Sequence, residues 1–215
     1  MIKTQVPERQ KLILYDVSWD EYTRHLRNFE NRHLRLTYDR GTLEIMTLTH
    51  EHESLSDFLG RMVLTLTEEL NLPLKSGRST TFRERKKKKG LEADNCYWIA
   101  NEAAVRGKKV IHLRIDPAPD LALEIDITRS SMPRMSIYAS LNVAEMWRWD
   151  KHGLAFLVLN AKGEYDAVSA SPTFPIPITP ADLVPFVVMR DHLDETSVIR
   201  EFRAWIRAKR NATQS

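Results

Sequence analysis

The plainest period in the chain is two, from Pro119 to Thr128. Leu121, Leu123, Ile125 and Ile127 fall on one face, and Asp120, Ala122, Glu124, Asp126 and Thr128 on the other, the alternation of a β-strand. The same period runs through Leu34-Arg35-Leu36-Thr37-Tyr38 and Thr42-Leu43-Glu44-Ile45-Met46. Asp39-Arg40-Gly41 between them supplies a turn, so this stretch predicts a β-hairpin. A helical period follows. Leu55, Phe58, Leu59, Met62, Val63, Leu66 and Leu70 recur at three- and four-residue steps and predict a helix over 50–70. Thr49 suits its N-cap, Glu51 and Glu53 its first turn, and Asn71-Leu72-Pro73 its end. An earlier helix starts at Ser18, with Asp20 and Glu21 in its first turn.

Weaker patterns fill the rest. Residues 1–15 read as a flexible start with a short strand at Leu12-Ile13-Leu14-Tyr15. Lys75 to Phe82 reads as one extended polar strand, and Cys96-Tyr97-Trp98-Ile99 as an apolar one. Ser130 or Ser131 can cap a helix with Pro133 in its first turn, where proline is tolerated. Met132, Met135, Tyr138 and Leu141 mark its inner face, and Asn142 suits the left-handed position at its end. Val143 to Asp150 and Leu154 to Leu159 predict strands, with Trp147 and Trp149 on one face. Residues 171–185, with Pro172, Pro175, Pro177, Pro180 and Pro185, predict an irregular connection. Thr196 to Lys209 predicts an amphipathic helix that covers the core or offers a face to a homodimer. Together these patterns predict an α/β fold: a central mixed sheet flanked by the 50–70 and 130–142 helices.

Composition narrows the class. At 215 residues one domain spanning 1–215 is expected, large enough for a real core. Hydrophobic content of 42% with 28% charged residues is that of a globular protein rather than a disordered chain. No apolar run is long enough to span a membrane, and Met1 to Pro7 does not read as a signal peptide. The single cysteine, Cys96, excludes an internal disulfide and fits a reducing cytoplasm. It sits in an apolar strand, which predicts a buried structural thiol. The net charge of +3 permits a polyanionic partner without requiring one. There is no internal repeat, P-loop, dinucleotide fingerprint or zinc-type Cys/His spacing.

Candidate chemistry lies in the acids. Glu124 and Asp126 occupy adjacent same-side positions of the 119–128 strand, roughly 7 Å apart. Like charges so placed repel, and a hard divalent cation would offset the repulsion. The plainer reading is an edge strand with a solvated acidic face. Asp94, thirty positions before Glu124 and just ahead of the Cys96 strand, is a second acid able to meet it in space. Two such acids and a metal offer phosphodiester hydrolysis. Arg83, Arg85, Lys86, Lys87, Lys88 and Lys89 put six cations into seven residues shortly before Asp94. Lysines there are candidates for phosphate contact, against the usual reading of a solvated run. His52, at the N-terminal end of a helix face, is a structural or site-edge residue, and Arg134 a surface or site cation.

On these residues the chain resembles the PD-(D/E)xK phosphodiesterase superfamily, and more closely the Uma-two family of restriction-like endonucleases. The matching pieces are Met46 through His52-Glu53, Ser79-Thr80-Thr81-Phe82, Gly90-Leu91-Glu92-Ala93-Asp94, Pro119-Asp120-Leu121 through Glu124, and Tyr138 with Val143-Ala144-Glu145-Met146-Trp147. They imply a restriction-endonuclease-like core over about 15–160 with a C-terminal extension over 161–215. The resemblance also implies a DNA substrate and a divalent metal, here Mg²⁺ or Mn²⁺ held by Asp94 and Glu124 with the Ile125 carbonyl, while Asp126 either joins them or holds a metal-bound water. His52 and Arg134 stand as further catalytic candidates. Two positions depart from the pattern. Ala93 precedes the aspartate in place of proline, and Asp126 stands where the lysine of (D/E)-x-K is expected. Arg134 or the 83–89 cations are candidates to replace that lysine. The alternative is a non-catalytic DNA-binding or assembly protein that keeps the nuclease scaffold. Repulsion among the acids predicts that Glu124→Gln keeps or raises the stability of the metal-free protein.

Overall fold

The alternating stretches sort into two sheets. The computed structural model describes residues 10–29, 34–78, 80–127 and 132–214. In chain order these form β1 (Lys11–Leu14), α1 (Trp19–Asn28), β2 (Leu34–Asp39), β3 (Thr42–Thr47), α2 (His50–Glu69), β4 (Lys75–Ser76), β5 (Thr81–Glu84), β6 (Lys89–Glu92) and β7 (Asn95–Trp98). Then come α3 (Glu102–Val105), β8 (Leu121–Asp126), α4 (Arg134–Ser140), β9 (Glu145–Asp150), β10 (Gly153–Leu159), β11 (Tyr165–Val168), α5 (Pro180–Met189) and α6 (Glu195–Gln214). One sheet is antiparallel, in the order β1-β3-β2-β6-β5. The other is mixed, in the order β11-β10-β9-β8-β7-β4, with β8 and β9 parallel. A parallel pair needs a crossover, and α4 is that crossover.

The fold is α/β with a restriction-endonuclease-like core. The mixed sheet is flanked by α2 on one face and α4 on the other. Leu121, Leu123 and Ile125 of β8 pack against Phe58, Leu59 and Met62 of α2, with Phe186 and Phe202 behind them. Ala122 on the opposite face packs against Ile137, Tyr138 and Leu141. Both faces of β8 are therefore buried, unlike the half-solvated strand that its alternation suggests. Parallel strands lie under helices on both sides, and α4 supplies the second cover. The antiparallel sheet carries α1. Ser18 and Glu21 close a capping box at the start of that helix. Tyr22 stacks on Tyr38 at 4.6 Å, and Gly90 leaves room for it, since a Cβ there would lie 2.3 Å from the Tyr22 hydroxyl.

The predicted hairpin is β2–β3, turning at Arg40 and Gly41 with positive φ at both. Thr49 caps α2 as expected, its hydroxyl accepting from the His52 amide. Lys75 to Phe82 is not one strand. It breaks after Ser76 and moves from the mixed sheet to the antiparallel one. The break is at Gly77, whose Cβ would come 2.5 Å from the Cys96 sulfur, followed by Arg78 at φ +47°. The basic run 83–89 spans the tip of a β5–β6 hairpin. Ser130 and Ser131 lie outside the described residues, and α4 begins at Arg134 with Pro133 in the N-cap position. Asn142 takes φ +60°, as its place after the helix predicts.

The proline-rich stretch ends earlier than its composition suggests. Thr179 and Asp182 form a capping box, Pro180 takes the first helical position, and α5 starts there. Pro185 sits inside α5. α6 covers the core rather than standing apart: Val198, Phe202 and Ile206 are buried. Its cations also clasp the end of α2. Arg203 and Arg207 each reach the Glu69 carboxylate at 2.7 Å, and Arg210 donates to the Glu69 carbonyl at 2.8 Å. Among the described residues no helix is long and apolar enough to cross a membrane.

Candidate active site

Asp94 occupies the seam between the sheets. β6 ends at Glu92 in the antiparallel sheet, and β7 begins at Asn95 in the mixed one. Asn95 anchors this passage to α2, its side-chain amide donating to the Ser56 carbonyl at 3.1 Å. The Asp94 side chain is fully buried. The Ile125 amide donates to its Oδ2 at 2.6 Å, which ties it to the backbone of β8. His52 Nε2, from the first turn of α2, lies 3.3 Å from the same oxygen. Arg35, from β2, ion-pairs with Oδ1.

Glu124 is held from the other side. Arg134 and Tyr138 stand one helical turn apart on α4 and therefore face β8 together. Arg134 donates from Nε to Oε1 at 2.5 Å and from Nη2 to Oε2 at 2.9 Å, a forked grip. The Tyr138 hydroxyl donates to Oε2 at 2.7 Å. Arg134 also donates to Thr37 Oγ1 at 2.6 Å and to the Glu92 carbonyl at 2.8 Å, so it crosses from the mixed sheet to β2 and β6. Arg35 Nη1 completes the set, 4.0 Å from Glu124 Oε1. One guanidinium thus touches both acids.

Burial pushes the Glu124 carboxyl up. The charge and hydrogen bonds of Arg134, the charge of Arg35 and the Tyr138 hydroxyl outweigh it and hold the group below its ordinary value. Burial and the neighbouring Glu124 charge push the Tyr138 phenol well up, so it stays a donor. Burial opposes the charge on Arg134, yet Glu124 and Tyr138 leave its pKa raised. Two carboxylates and two guanidiniums balance in one buried cluster, each charge paired as burial demands.

A cavity of about 660 Å³ opens onto Asp94, with Arg27, Arg35, Arg78 and Arg83 in its walls and Glu92 beside Asp94. Burial raises the Glu92 carboxyl, against a hydrogen bond from Thr81 that lowers it. Glu53 and Asp57 also line it, so its walls mix both signs of charge; its guanidiniums are groups that can contact a phosphodiester backbone.

The site therefore brings together Asp94, Glu124, Ile125, His52 and Arg134. Asp126 lies two residues beyond Glu124 on the same face of β8, half-buried and beside Asp150 in register. The basic run divides. Arg83 lines the cavity. Arg85 pairs with Asp20 at 3.3 Å. Lys87 and Lys89 reach the Ser140 and Ser136 carbonyls of α4. Lys86 and Lys88 stand exposed at the hairpin tip.

Sequence reasoning passes over Arg35, Thr37, Arg27 and Arg78, and reads Tyr138 as core. The signal available for Arg35 and Thr37 is that they share one face of an alternating strand. That face reads as solvated until the second sheet is seen to cover it.

The donor set can be tested against a divalent ion. Among the described residues no three His, Cys, Asp or Glu side chains cluster to hold one. Mg²⁺ needs no such cage. It is held by one or two carboxylates, with water and substrate phosphate completing its shell. Asp94 and Glu124 are hard oxygen donors, and a cationic group, the Arg35 guanidinium, already sits against both. The residues fit a hard cation at the place that Arg35 now fills.

A sequence model of a protein family described as "Putative restriction endonuclease" matches residues 19–185. No curated protein matches the chain.

Proposed function

The chain belongs to the Uma2 family, and from that premise we propose that it is a divalent-metal-dependent DNA endonuclease acting at the Asp94–Glu124 pair. The observation that carries this reading is that Asp94, on the wall of a cavity bearing four arginines, shares the Arg35 guanidinium with the buried Glu124 behind it. Asp94, Glu124 and the Ile125 carbonyl would hold Mg²⁺ or Mn²⁺, with Asp126 at the edge of the set. Such an ion supplies a water of lowered pKa and neutralises charge on the phosphate. His52 and the Ile125 amide orient Asp94. Arg134 and Tyr138 fix Glu124 in one rotamer and keep it ionised. Arg27, Arg78 and Arg83 draw the phosphodiester into the cavity, and the Lys86–Lys88 tip extends that basic surface. Arg134 is consumed by Glu124, Thr37 and Glu92, which suits a positioning role better than the work of the absent lysine.

The test is cleavage of supercoiled and linear DNA with Mg²⁺ and with Mn²⁺. Glu124→Gln and Asp94→Asn should each lower the rate by about a hundredfold or more, the equivalent of roughly 3 kcal/mol of transition-state stabilisation. Cleavage undiminished in both variants would place the activity elsewhere. A wild type inert on all substrates would favour a DNA-binding protein on a nuclease scaffold, the reading that the charge-balanced cluster and the absent lysine support.

A further inference from the structure

We propose that Arg35 is a resident cation of the carboxylate pair, which a divalent ion displaces and which then serves the substrate phosphate. The second half rests on the nuclease reading. The first half needs only ion binding.

The two arginines of the cluster are not equivalent. Arg134 spends Nε, Nη1 and Nη2 inside it, on Glu124, Thr37 and the Glu92 carbonyl, and does not line the cavity. Arg35 does line the cavity, and its guanidinium lies against both Asp94 and Glu124. That is the place where an ion shared by the two acids must sit. Opposite charge there already satisfies the acids, so a divalent ion enters only in exchange for it. The exchange needs no backbone movement. β2 is pinned between β3 and β6, while the arginine side chain turns about its own bonds. The open direction for that turn is the cavity, where Arg27, Arg78 and Arg83 already mark a surface for anions. A guanidinium arriving there can fork onto a phosphate, work that Arg134 is placed too deep to do.

The proposal separates Arg35 from a merely structural ion pair by the signs of two measurements. Losing the resident cation should strengthen ion binding and weaken DNA binding. A structural defect would weaken both. Mn²⁺ affinity is measured without DNA by electron paramagnetic resonance for wild type, Arg35→Gln and Arg35→Lys. Affinity for a labelled duplex is measured in Ca²⁺. Arg35→Gln should bind Mn²⁺ at least tenfold more tightly than wild type and DNA at least threefold more weakly. Arg35→Lys, still charged but unable to fork across both acids, should fall between. Mn²⁺ binding that is unchanged, weaker or absent in a natively folded Arg35→Gln overturns the proposal. If that variant does not fold, the same comparison on Arg35→Lys decides it. Tighter Mn²⁺ binding with undiminished DNA affinity removes the phosphate role and overturns the proposal as stated. A wild type that binds Mn²⁺ yet cleaves nothing counts against the nuclease reading and leaves the Mn²⁺ comparison decisive.

Discussion

Glu124 remains an anion in the interior because a forked guanidinium faces both of its oxygens. Such a pair gives little net stability over an apolar substitute, but breaking it from one side leaves a buried charge unmatched. Arg134→Met should therefore destabilise the protein by about 3–5 kcal/mol in chemical denaturation. The double variant Arg134→Met/Glu124→Leu should recover most of that loss. A double variant no more stable than Arg134→Met alone would show that Arg134 acts through Thr37 and Glu92 instead. Acid–acid repulsion, considered alone, predicts that Glu124→Gln holds or raises stability. The two arginines beside the acids reverse the sign, since the substitution strips Arg134 of its counter-charge.

Among the elements, α2 carries the heaviest duty: His52 enters the site from its first turn, and α6 clamps its last. A hydrogen bond from Arg207 is the largest influence on Glu69. Together with Arg203, and against partial burial, it draws the carboxyl down to about 2. A depressed carboxyl adds stability that is complete above its unfolded value of about 4.3 and is lost as pH falls toward the folded one. The melting temperature of Glu69→Gln should lie below that of wild type at pH 6, and the gap should close between pH 4 and pH 2. A gap independent of pH would remove Glu69 from the clamp. The β5–β6 hairpin has a different fate. Lys87 and Lys89 spend their ammonium groups on α4 carbonyls, leaving Lys86 and Lys88 as the outward pair. Replacing Lys86 to Lys89 by glutamine should weaken DNA binding and flatten its salt dependence. Most of that change should come from Lys86 and Lys88, with a slope lower by roughly 1.8 for two lost phosphate contacts. An unaltered slope would mean that the hairpin tip is only solvated.

For the molecule as a whole, what one chain reveals depends on whether a signal is local. The β2–β3 turn, the Thr49 cap and the Ser18 capping box are local chemistry, and they stand where the residues predict. The approach of Asp94 to Glu124 is long-range; what points to it in the sequence is the pair of like charges on one face of the 119–128 strand, an acid just ahead of the Cys96 strand, and the family resemblance. Arg35 was not legible. Leu34-Arg35-Leu36-Thr37-Tyr38 alternates as a half-solvated strand would, and only packing against β8 and α4 makes its polar face an interior. The break at Gly77 and the early start of α5 were hidden for a similar reason. Each turns on a close contact or a cap that composition overrides. The seam at Asp94 has a consequence for mechanics. The chain leaves one sheet and enters the other within two residues, and Glu124 stands on the far side of that junction. Anything that joins the two acids rivets the two sheets together. Saturating Mn²⁺ should then slow amide hydrogen exchange in β2 and β6 as well as in β8, by the same free energy that binding adds to the folded state. Protection confined to β8 would show that the ion adds no tie across the junction beyond the Arg134 bonds to Thr37 and Glu92.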